Sequence, residues 1–253
     1  MKHCAAIIMI TMLPGFAATH FAASQWLINP GPGIPRTLDG KPNLSAPAPK
    51  LPDGKLDLSG IWKGDLPVPY FRNLGLKPGD PVLTPEGKSL QKRFTGEQPC
   101  MPLPLPVLDS PALFPFKIIQ TPGEIVILYE HETLFRQIFL DGRQLPKDPN
   151  PTWLGYSVGK WDGDTLVVDT TGFNEKNAIP GARPYSDTLH LMEQFRRPDF
   201  GHLQIQFTVD DPKVYMKPWS FTRNYHLLLA TELMEYICFE NEKDLQHMVN
   251  PPH

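Results

Sequence analysis

Residues able to do chemistry stand out where hydrophobic positions alternate, because alternation sorts side chains to the two faces of a strand. Ile125, Ile127, Tyr129 and His131 share one face, and Leu134, Arg136, Ile138 and Leu140 share another. Thr165, Val167 and Asp169 stand together further on, as do Leu233, Glu235, Ile237 and Phe239. A charge among apolar neighbours is costly unless it is paired or put to use. His131, Arg136, Asp169 and Glu235 are therefore expected to converge on one barrel lumen. His190, between Thr188 and Met192, offers a second imidazole, and Tyr156 shares a face with Leu154 and Val158. In such a set Arg136 and Tyr156 hold the substrate, His131 or His190 moves a proton, and Asp169 or Glu235 orients the imidazole. The chemistry would be a cofactor-free isomerisation, cyclisation or elimination on a small, partly apolar molecule, making the protein a lyase, isomerase or cyclase. Two competing readings stay open. Arg136 and a carboxylate can form an internal bridge that specifies the fold, leaving His131 at a strand end near solvent. The protein can also be a non-catalytic binder of an apolar ligand or an exported partner. A slip of one residue in register would turn each of these side chains outward.

Other strings yield less. Tyr129-Glu130-His131-Glu132-Thr133 begins like a zinc-binding helix but lacks the second histidine four residues on. Asp162-Gly163-Asp164 is too short for a calcium loop and suits a hairpin turn. Gly155-Tyr156-Ser157-Val158-Gly159 matches the nucleophile string of α/β-hydrolases, but that elbow leads into a helix. Here Lys160-Trp161-Asp162-Gly163 reads as a turn into another strand, so Ser157 is expected to be a strand residue. Neither a metal nor a cofactor is expected from these strings.

The elements that must position these residues are strands. Period-two runs fall at 116–120, 124–130, 133–140, 155–161, 164–170, 187–195, 202–210, 219–225 and 232–239, with an earlier one at 58–62. Asp141-Gly142 and Asp162-Gly163 are tight-turn signals, the second joining two runs as a hairpin. No helical crossovers separate the runs, so an antiparallel arrangement is expected: a lipocalin-like barrel, or alternatively a two-sheet sandwich. Thr84-Pro85-Glu86 signals one short helix running to about residue 94, with Thr84 as cap and Pro85 in the first helical position. The chain's 30 prolines cluster before residue 116 and again between Pro146 and Pro151, marking arms and loops rather than central strands. Within the first cluster Asp39-Gly40-Lys41-Pro42 is echoed by Asp53-Gly54-Lys55-Leu56, a duplicated turn in a wrapping arm.

The N-terminus reads as a removable export signal. Met1 to His3 are a short basic start, Cys4 to Ala18 an almost unbroken apolar run, and small residues offer cleavage between 17 and 24. Residues 1–23 are thus assigned as signal peptide, 24–115 as proline-rich arm with one helix and the first strand, and 116–253 as the β domain. Secretion or periplasmic residence follows, with no integral membrane segment after cleavage. Cleavage removes one of three cysteines and leaves Cys100 and Cys238 to pair in an oxidising compartment, closing a loop of about 140 residues. The net charge is −3 and the 24 basic residues are scattered, which points away from nucleic acid and towards a small-molecule ligand.

The long string from Gly155 through Trp161-Asp162-Gly163-Asp164 to Phe173, with Phe135-Arg136-Gln137-Ile138, Phe195-Arg196-Arg197 and the ending Glu235-Tyr236-Ile237-Cys238, resembles a family of uncharacterised secreted bacterial proteins. The resemblance covers most of the mature chain and implies secretion and a shared fold, without a settled activity. The Trp-Asp-Gly-Asp hairpin is also similar to those of small lipocalin-like barrels.

Overall fold

Asp-Gly pairs do in the arm what their backbone chemistry predicts. The protein is seen as a computed structural model that describes residues 33–64, 76–77, 79–94, 102–106, 108, 114–176, 178–179, 183–237 and 240. Arg36 bridges Pro42 in the first copy of the repeat and Lys50 bridges Leu56 in the second. Gly40 and Gly54 sit at φ +80° and +83°, a region other residues enter with strain. Thr37 N donates to Lys41 O at 2.9 Å, matched by Leu51 N to Lys55 O at 2.8 Å. The arm then lies across one end of the barrel. Phe200 N donates to Ala46 O at 2.8 Å and Gly201 N to Leu44 O at 2.7 Å, while Leu56 and Leu58 are buried.

Among the described residues eleven strands follow in chain order: β1 Gly60–Gly64, β2 Phe116–Gln120, β3 Glu124–Tyr129, β4 Phe135–Phe139, β5 Tyr156–Asp162, β6 Thr165–Thr171, β7 Ala178–Ile179, β8 Arg183–Pro184, β9 His190–Arg196, β10 His202–Asp210 and β11 Trp219–Leu227. Nine of them close a barrel in the order β1-β11-β10-β9-β6-β5-β4-β3-β2, and β7 and β8 form a separate two-stranded hairpin. The fold is therefore mainly β and barrel-shaped, as the alternation predicts. Its first strand, β1, comes from the segment before residue 116, as the sequence predicts, and pairs with both β2 and β11.

The helix is the one read from sequence. α1 spans Pro85–Gln91, Thr84 Oγ1 accepts from Gly87 N at 3.0 Å, and a 3-10 turn continues over Lys92–Phe94. It docks on the loop between β10 and β11, where Thr84 N donates to Val214 O at 2.9 Å. A Cβ on Gly87 would lie 2.3 Å from Val214 O, so only glycine allows this approach.

Three expectations are corrected. The barrel is mixed, because β4 and β5 run parallel, paired only at Ile138↔Ser157 and Phe139↔Val158. A parallel pair needs a long crossover, and the proline-rich stretch 140–155 supplies it without a helix. The run at 232–239 forms no strand over its described residues; Tyr236 makes a lone bridge to His131. With β1 and β11 joined, every barrel strand already has two neighbours, so the last apolar run finds no free edge. The interior face of β6 is Leu166, Val168 and Thr170, which turns Asp169 outward. Both faces of this strand carry apolar residues, and alternation alone cannot choose between them. Residues 1–23, Cys100 and Cys238, which carry the signal-peptide and disulfide expectations, lie outside the described residues.

Candidate functional site

Arg136 is the one predicted lumen charge that reaches the lumen. On β4 it alternates with outward Phe135 and Gln137 and is 3% exposed. Nε donates to Ser157 Oγ at 3.1 Å, Nη1 to Glu193 Oε1 at 3.0 Å and Nη2 to Thr170 Oγ1 at 2.9 Å; Nη2 also bonds Glu193 Oε2. Ser157 and Thr170 share a further bond of 2.9 Å. Glu193, 0% exposed on β9, is thus the partner of Arg136. Its signal was present in the alternation Leu191, Glu193, Phe195, an acid between two core positions. A bidentate pair with its remaining donors and acceptors satisfied holds two charges in a dry interior and leaves neither free to move a proton. Ser157 lies inside this network as a strand residue.

The other predicted acid–base residues are dispersed. His131 lies just beyond β3, its ring 5.0 Å from that of Phe114 and 5.5 Å from that of Tyr236. Its Nδ1 is buried without a hydrogen-bond partner, and burial pushes its pKa down against the opposing pull of Glu132. His190 and Asp169 do meet, Nε2 to Oδ1 at 2.9 Å, but on the outer wall and partly exposed. Glu235 is exposed on the tail that follows the barrel. The four-residue lumen cluster of His131, Arg136, Asp169 and Glu235 is therefore not formed.

Tyr156 and Arg136 line one cleft beside β4 and β5. Two paired positions hold β4 to β5, and the residues preceding them, Leu134–Gln137 on one side and Thr152–Tyr156 on the other, are not paired with each other and line this cleft. The cleft so formed measures about 370 Å³. Arg136 and Ser157 contribute to its floor, and Phe135, Phe139, Trp153 and Tyr156 line its sides. Phe135 is 63% exposed, a large apolar side chain left to solvent. Phe139 and Tyr156 lie 5.3 Å apart between ring centroids. Arg143 stacks on Phe139 at 3.9 Å and donates to Tyr156 Oη at 3.0 Å. Its hydrogen bonds to Asp141 hold that carboxyl below its usual range and keep the guanidinium charged. The arrangement is an aromatic slot whose charges are already paired, suited to stacking and to hydrogen bonding at its rim. Among the described residues no three His, Cys, Asp or Glu side chains gather as metal ligands, and no helix is long and apolar enough to cross a membrane.

No family model matches the chain, and no curated protein or solved structure is significantly similar to it.

Proposed function

We propose that this is an exported binding protein that takes a flat, partly apolar small molecule in the cleft between β4 and β5. The carrying observation is the aromatic slot itself. Its volume falls within the range of small-ligand sites, and four aromatic side chains surround it. The ionisable groups that line or border it, Arg136 and Arg143, are bound to Glu193 and Asp141, which favours holding a ligand over transforming it. A second reading, a cofactor-free lyase or isomerase, draws support from one pair. Asp169 orients His190 on the same outer wall, one strand from Tyr156, as a carboxylate orients a general base.

The test is titration of the mature chain with N-phenyl-1-naphthylamine, a neutral aromatic fluorophore, followed by a metabolite screen for binding and turnover. Saturable one-to-one binding is expected, weakened about tenfold or more in Trp153→Ala and Phe139→Ala, since buried aromatic anchors carry much of a site's affinity. Binding without turnover supports the first reading. Turnover that disappears in His190→Gln transfers support to the second, and probe binding indifferent to both aromatic variants removes the cleft as the site.

A further inference from the structure

Three arginines are buried in the described barrel, and they differ in what their guanidinium groups meet. Arg136 is saturated by Glu193, Ser157 and Thr170. Arg197 donates to the carbonyls of Asp57, Ser59 and Phe200. Arg223, on the inward face of β11 and 3% exposed, has no hydrogen-bond partner at Nε or Nη2. Its cross-strand neighbour is Ile205, itself opposite Phe195. The side chain leans towards the α1 end, with Cζ 5.2 Å from the Phe221 ring. Trp219 stacks on that ring at 5.7 Å, and its Nε1 is also buried without a partner.

We propose that Arg223 binds the carboxylate of a small organic acid at the α1 end of the barrel, a site separate from the aromatic cleft. A guanidinium taken out of water is strongly destabilising unless an anion compensates it. Burial depresses the pKa of Arg223, the Tyr225 hydroxyl opposes that shift, and the guanidinium of Arg183 on β8 adds to it. Arg183 is brought there by Tyr215, whose hydroxyl donates to Pro184 O at 2.7 Å. The like charge of Arg183 adds positive potential at the buried Arg223 guanidinium, which an incoming anion would relieve. The two open donors also specify the shape of that anion. Nε and Nη2 share one edge of the guanidinium plane and form the fork that accepts both oxygens of a carboxylate.

Calorimetric titration of the full mature chain with acetate, benzoate and inorganic phosphate, at constant ionic strength with chloride as control, tests the site. A carboxylate is expected to bind and raise the thermal midpoint. Arg223→Met should lose about tenfold or more in that affinity, while its ligand-free midpoint equals or exceeds the parent's because an uncompensated charge is gone. Arg223→Lys, which keeps the charge without the fork, should fall between the two and serves as the reading if the Met variant does not fold. Trp153→Ala should leave carboxylate binding unchanged, which separates this site from the cleft. The proposal is overturned if no carboxylate shifts the parent, if the shift survives in Arg223→Met, or if phosphate binds more tightly than the carboxylates.

Discussion

At the residue scale, the fate of each charge follows from which face of its strand it occupies. Arg136 was legible because it sits in the aliphatic stripe Leu134, Ile138 and Leu140, while the opposite face, Phe135, Gln137 and Phe139, has a polar residue at its centre. The face of Asp169 is not legible, because Leu166, Val167 and Val168 are consecutive and give β6 two apolar faces. Glu193 and Arg223 each interrupt a core stripe, Leu191 to Phe195 and Phe221 to Tyr225. A charged residue between two core positions is the signal that finds both. His131 carries a consequence for pH. Burial lowers its pKa in the native state below the value of about 6.5 for an unfolded chain, so the unfolded chain protonates first as the solution is acidified. Its contribution is present above that pH and is lost as pH falls through the depressed value. Thermal midpoints between about pH 7 and 5 should therefore fall less steeply in His131→Phe than in the parent. Parallel slopes would assign the acid sensitivity to other groups.

At the element scale, the short parallel junction between β4 and β5 is where the wall departs from a simple meander and where the cleft opens. Gly155 sets that junction. It has φ +68°, and a Cβ there would lie 2.8 Å from Thr171 O and 2.7 Å from Thr170 Cγ2. Gly155→Ala should cost about 1–3 kcal/mol, from backbone strain together with overpacking. Because the chain enters β5 at this residue, it should also weaken probe binding in the cleft. Urea unfolding and the fluorophore titration measure the two effects, and an unchanged midpoint would show that the entry relaxes without loss. Strand positions were readable from period-two alternation and α1 from its cap. The parallel pairing was not, because an irregular crossover leaves no helical signature and Pro146, Pro149 and Pro151 look like any loop. The hairpin of β7 and β8 is two residues per strand, too short to alternate.

At the scale of the whole molecule, the proline-rich arm covers one end of the barrel while α1 docks on the loop after β10, towards the other. The proposed export adds a prediction about covalent state. The mature protein should begin near residue 24 and contain no free thiol, with reduction of a Cys100–Cys238 bridge lowering stability by up to roughly 4 to 5 kcal/mol. Intact mass with and without thiol alkylation checks this, and an uncleaved Met1 or two alkylated cysteines would refute it. The pairing of β1 with β11 bears on this route as well. Trp62 finds Leu227 across the closing ladder, so the first and last strands of the barrel must meet before any of its edges disappear. At ordinary synthesis rates of about 5–20 residues per second, β11 follows β1 by on the order of ten seconds or more. Throughout that interval the nascent chain lacks the piece that would lock it shut. Late closure keeps such a chain threadable, the condition that a translocation channel admitting unfolded polypeptides requires.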